Sequence, residues 1–177
     1  MNILLALTRQ MGIERRLADL YKQFYRKFLS HPAYNTFWLQ MSNEEAGHAN
    51  LLEILVERLQ ENMEFDMPEL SNILPEQFGR VDDEISRCLL ESKSPKLSLQ
   101  KAFDMAVLLE EGEANILFEN ILQTLDGSFG RSLLHFVMEN MEHKGNVKSV
   151  AEMIRDAPGF VEVLVETLPT ESGTTSE

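Results

Sequence analysis

Residues 38–59, WLQMSNEEAGHANLLEILVERL, carry the spacing of an amphipathic helix. Stepping by three and four, one face runs Trp38, Met41, Glu45, His48, Leu52, Leu55 and Leu59. Five of these seven are apolar; the two in the middle are a glutamate and a histidine three residues apart. An ionised carboxylate on a buried face is costly unless a partner or a cation compensates it. The pattern Glu45-x-x-His48 therefore points to something held at the centre of the face.

Three further long stretches show the same period. The first spans about Asn2 to Leu29, with Glu14, Leu17, Tyr21, Phe24 and Phe28 in its row, and SHPAYN breaks it, with Pro32 as the main signal. The opening stretch follows and ends near Asn62. The next runs from about Ser98 to Leu125, with Phe103, Ala106, Glu110, Glu113, Leu117 and Ile121 in its row. DGSFG turns the chain into the last, about Arg131 to Asp156, whose row includes Val137, Asn140, Lys144, Val147, Ala151 and Ile154. Glycine and proline are sparse inside these segments, and strong helix formers dominate.

Between the second and third stretches lies a connection with Pro68, Pro75 and Pro95, too long for a tight turn. It contains VDDEISRCLLES, a short amphipathic piece with Val81, Ile85, Cys88 and Leu89 on one side. The expectation is an all-α four-helix bundle: two antiparallel helix hairpins joined by a long crossover that contains a short helix. One domain over residues 1–168 suits the length, with 169–177 as a flexible tail that has nothing to bury.

The chain has 177 residues and a net charge of −13. That balance argues against a nucleic-acid partner, whose phosphates it would repel. No apolar run approaches the ~20 residues of a membrane span, and the N-terminus lacks a basic start and a cleavage site. The single cysteine, Cys88, excludes an intramolecular disulfide and a four-cysteine metal centre. A cytoplasmic location is expected, with Cys88 buried and inert.

Glutamates thus stand in the apolar rows of three helices: Glu14, Glu45 with His48, and Glu110 with Glu113. Facing one core, they would repel each other unless protonated, hydrated or neutralised by cations. A pair of divalent metals answers this economically, because hard or borderline cations accept carboxylate oxygen and imidazole nitrogen together. Glu-x-x-His places both ligands on one side of a helix. Each residue has an ordinary alternative. Glu14, between Arg15 and Arg16, could be a partly exposed charge, and Glu113 could be solvated. His143 could sit at the edge of the fourth core face. Lys144 could neutralise the facing glutamates in place of one metal or extend into water. Tyr21 and Trp38 are read as packing residues, with the Tyr21 hydroxyl able to support a ligand. His31 and His135 are read as loop and outer-face residues.

ERRLADLY around Glu14 and Tyr21, Glu45-x-x-His48, EEGEANILF with Glu110-x-x-Glu113, and NMEH with His143 together resemble the rubrerythrin branch of the ferritin-like family. The resemblance covers nearly the whole chain except the crossover and tail. It implies an iron pair between the helices, with manganese or zinc as alternatives, and peroxidase or ferroxidase chemistry on peroxide or ferrous iron. It implies Glu113 as an additional carboxylate ligand and His143 as the histidine of a second Glu-x-x-His. There the chain departs from the family, because position 140 is Asn. NEEAGHANLLEIL and MENMEHKGNVKSV also align with each other, setting Glu45 over Asn140 and His48 over His143. Glu111, seven residues before Phe118, stays in reserve beside Glu110. Rubrerythrins proper append a four-cysteine rubredoxin domain that this chain lacks, so electrons would come from a separate donor or from ferrous iron itself. A homodimer is a further expectation from the resemblance. The competing expectation is a degenerate bundle with one metal or none, serving a binding or scaffold role.

Overall fold

The computed structural model describes residues 2–61, 75–110 and 148–152 of the chain. Four α-helices account for nearly all of them, and no strand forms among them: α1 Ile3–Lys27, α2 Pro32–Glu61, α3 Pro75–Ser92 and α4 Leu99–Glu110. Residues 148–152 are helical, and Ala151 lies in the core. No helix among the described residues is long and apolar enough to cross a membrane.

The helix ends follow local chemistry. Asn2 caps α1: its side-chain oxygen accepts the Leu5 N–H at 2.9 Å. Arg26 and Lys27 occupy the last turn, where cations complement the helix dipole. Pro32 does not lie in the loop, as the reading of SHPAYN as a break implied. It opens α2, because a first-turn proline has no N–H to lose there and its fixed φ suits a helix. The loop thus shrinks to residues 28–31. Ser98 precedes α4 and accepts the Lys101 N–H at 3.2 Å.

Interhelical bonds give the topology. Asn35 donates to the Tyr25 carbonyl, Ser42 to the Ala18 carbonyl at 2.9 Å, and Arg15 pairs with Glu53. Partners on α2 advance as those on α1 recede, so the two helices form an antiparallel hairpin. On the other side of α1, Arg9 reaches the Pro75 carbonyl, Arg16 pairs with Asp82, and Gln23 bonds Ser92. Here the numbers rise together, so α3 runs parallel to α1. Phe103 of α4 meets Tyr34, Phe37 and Trp38, while Glu110 reaches Tyr21. This sets α4 across both helices of the hairpin.

The expected amphipathic piece of the crossover is a helix, longer than the sequence suggested. It begins at Pro75 and buries Phe78, Val81, Ile85, Cys88 and Ser92. Leu89 is only half-buried. Burial holds the Cys88 thiol above its ordinary pKa, which suits an inert core side chain. Trp38, Tyr21, Phe24, Phe78 and Phe103 are among the largest fully buried side chains. Each contributes roughly 1.5–3 kcal/mol or more from the apolar area removed from water.

Candidate metal centre

At one level of the α1–α2 hairpin the core turns polar. Glu14 comes from α1, and Glu45 and His48 from α2; the three sides are 5%, 2% and 5% exposed. Because the helices are antiparallel, residues 14 and 48 fall level with one another, and Glu45 lies one turn away on the same face. One ligand atom from each of the three lies within 4.8 Å of the others. His48 Nδ1 stands 2.9 Å from Glu45 Oε2 and 3.8 Å from Glu14 Oε2. The alternative reading of Glu14 as a partly exposed, arginine-flanked charge is not met. Arg15 and Arg16 turn outward to Glu53 and Asp82, and Glu14 turns in.

Two further side chains border the cluster. Gln10, one turn before Glu14 and fully buried, donates its amide N–H to Glu14 Oε1 at 2.7 Å. The Gln10 Oε1 has no hydrogen-bond partner and no access to water. Glu110, from the last described turn of α4, is 3% exposed, and its Oε1 accepts the Tyr21 hydroxyl at 2.6 Å. Tyr21 thus does more than pack: it holds a buried carboxylate from behind, while its ring stacks on Trp38.

The two central carboxyl groups respond to burial in opposite directions. Burial raises Glu45, and the charges of Glu110 and Glu14 and a hydrogen bond with Glu14 raise it further, to well above the ordinary value of 4.5. Burial also pushes Glu14 upward. Hydrogen bonds to His48 and Glu45, the attraction of His48 and the bond from Gln10 outweigh it and hold Glu14 below that value. Burial and like charge thus favour the neutral form of Glu45, while hydrogen bonds favour the ionised form of Glu14, and the two groups titrate as a pair. Tyr21 is held well above its ordinary pKa, first by burial and then by Glu110 and Glu45. It remains a neutral donor at any ordinary pH.

The residues fit a divalent cation. Two buried carboxylates and an imidazole are the donor set that iron, manganese or zinc accepts. A cation here would supply the positive charge that two neighbouring buried carboxyl groups call for. A carboxylate–imidazole bond and an amide–carboxylate bond keep the donors oriented. Among the residues expected from sequence, Glu14, Glu45 and His48 are brought together and Glu110 is buried beside them. Glu113 and His143, with Asn140, Lys144 and the reserve residue Glu111, lie outside the described residues. Gln10 was not anticipated, although the period contained it: Gln10, Glu14, Leu17 and Tyr21 continue one face of α1. No protein-family model, no curated protein and no solved structure matches this chain.

Proposed function

We propose that the chain is a ferritin-like bundle of the rubrerythrin type, whose buried cluster binds divalent metal, most simply two irons, in the service of peroxide reduction or ferrous-iron oxidation. The observation that carries this reading is the meeting of Glu14, Glu45 and His48 inside the core, with Glu110 held beside them by Tyr21. Glu14, Glu45, His48 and Glu110 would hold the metal from the described half, and Glu113 and His143 from the remainder of the bundle. Bound iron would supply redox equivalents for the reaction. The chain's own residues have three tasks: Gln10 and Tyr21 orient Glu14 and Glu110, Glu45 ionises when a cation arrives, and the aromatic layer of Tyr21, Trp38 and Phe103 excludes water from one side.

A direct test is metal content after metal-free purification and anaerobic reconstitution. Glu45→Ala and His48→Ala are expected to abolish stoichiometric iron uptake while far-UV helicity persists. Full iron uptake by both variants would refute the assignment. The second reading, a bundle of the same ancestry without metal, draws on the hydrogen bonds that Glu14 and Glu45 already make with Gln10 and His48. It predicts no uptake by the unaltered protein. If Asn140 and Lys144 face the cluster, a weaker second metal position is expected, which Asn140→Glu would tighten.

A further inference from the structure

On the opposite side of α1 from the cluster, Asp19, Lys22, Gln23 and Arg26 meet Leu89 and Lys93, at the end of α3, around an open pocket of about 330 Å³. Its cations differ from most of those elsewhere on the described surface. Arg15, Arg16, Arg87 and Lys101 pair with carboxylates. Lys27 bonds the Ser92 and Ser94 carbonyls. Among the described residues, the side chains of Lys22, Arg26 and Lys93 make no ion pair or hydrogen bond, and all three line this pocket. One carboxylate, Asp19, stands against the three cations. The pocket is therefore locally positive on a chain whose net charge is −13.

The pocket also has a neutral polar wall. The Gln23 amide lines it and bonds Ser92, 4% exposed, whose hydroxyl also lies within donating distance of the Leu89 carbonyl. Leu89, half-buried, gives it one apolar wall.

We propose that this pocket binds a small phosphorylated molecule through its phosphate dianion. Three cations offset by one carboxylate leave two formal charges to be matched, the charge of a phosphate monoester, reduced in effect by the negative ends of the α1 and α3 dipoles nearby. Arg26 offers the forked donors that suit phosphate oxygens, and Lys22 and Lys93 add point charges around it. The volume exceeds the needs of a bare anion and falls at the small end of organic-ligand pockets. With Leu89 beside the cations, it favours a phosphate that carries a compact apolar group. The acidic remainder of the surface disfavours an extended polyanion, which would have to pass over it. The proposal does not rest on the metal reading, and failure of either leaves the other intact.

The test is titration of the full chain with inorganic phosphate and with phenyl phosphate, at constant ionic strength set by chloride, followed by amide chemical shifts. Saturable one-to-one binding is expected, with shifts centred on residues 19–26 and 89–93 and phenyl phosphate the tighter of the two. Arg26→Ala and Lys93→Ala alter exposed side chains and are expected to keep the fold, with the melting temperature lowered slightly by Arg26→Ala through the loss of a cation at the end of α1, while each weakens binding about five- to tenfold. Lys96→Ala removes an unpaired cation outside the pocket and is expected to change nothing. Binding that does not saturate, that chloride matches, or that Lys96→Ala weakens as much as Arg26→Ala would overturn the proposal. Phosphate binding as tight as phenyl phosphate binding would overturn the assignment of an organic monoester and of a role for Leu89.

Discussion

The hairpin of α1 and α2 carries two buried layers built on opposite principles. Toward the loop, Tyr21, Phe24, Phe37, Trp38 and Phe103 form a layer of rings, with Trp38 and Phe103 centroids 4.4 Å apart. Two to three turns farther along, the same faces carry Gln10, Glu14, Glu45 and His48, all buried. The aromatic layer obeys the ordinary rule that burial of apolar area stabilises. The polar layer violates it, and a donor or acceptor there costs free energy unless another polar group or an ion holds it. The contrast teaches that the two layers have different tasks. The aromatic layer fixes where the helices lie, and the polar layer uses that rigidity to keep costly groups in register. Tyr21 joins them, with its ring in one layer and its hydroxyl on Glu110 in the other.

The contrast can be broken most severely from the aromatic side. Trp38→Ala removes the ring that touches Tyr21, Phe24, Phe37 and Phe103. A loss of about 3–5 kcal/mol is expected, read as a melting temperature lower by roughly 10 °C or more. Metal affinity should fall with it, although Trp38 offers no ligand atom. Preserved stability would show that the layer is not the frame of the site.

Tyr21→Phe keeps the ring and deletes the bond to Glu110. It leaves a buried carboxylate short of a donor, at a cost of about 1–3 kcal/mol in the metal-free protein. Added metal should recover part of this loss, since a cation replaces the missing donor. Chemical denaturation with and without metal measures both numbers.

The polar layer makes a pH prediction with a definite sign. Glu45 has a folded pKa raised above 4.5, so the folded chain binds a proton that the unfolded chain has released. Its contribution is complete below the ordinary carboxylate range and fades as pH climbs through the raised value. Glu14, lowered, contributes in the opposite sense: fully above the ordinary range, lost as pH falls through its depressed value. Metal-free protein should therefore lose stability on going from mildly acidic to alkaline pH. Glu45→Gln should flatten that slope and raise the metal-free melting temperature at neutral pH by roughly 2–4 °C. An unchanged slope would place the proton elsewhere.

The smallest effect belongs to the surface of the same hairpin. Arg15 and Glu53 pair at 3.0 Å with about half of each side chain exposed. Glu53→Ala should cost no more than about 1 kcal/mol, and less in high salt. Urea melts at two salt concentrations would show it.

Much of this was legible beforehand, for physical reasons. The three- and four-residue period reports which face is buried whatever the residues are, so Glu14, Glu45, His48 and Glu110 could be placed in the core from their positions. Two features were harder. Pro32 breaks a helix or begins one, and only the backbone on both sides decides which. Gln10 is a neutral residue that draws no attention as a ligand, and its importance lies in a 2.7 Å bond to Glu14. That α3 would lie parallel along α1 depended on Arg16 finding Asp82 and Gln23 finding Ser92, contacts between residues more than 60 positions apart that no local pattern encodes.

The central claim is that the buried Glu14–Glu45–His48 group is a metal centre in which a cation displaces the proton that burial favours on Glu45. Anaerobic calorimetric titration of the metal-free protein with ferrous iron, repeated in buffers of different ionisation enthalpy, tests it most directly. The account predicts saturable stoichiometric uptake accompanied by proton release that rises as pH falls toward the ordinary carboxylate range, and the loss of both in Glu45→Gln. No uptake by the unaltered protein, or uptake that Glu45→Gln leaves unchanged, would contradict it.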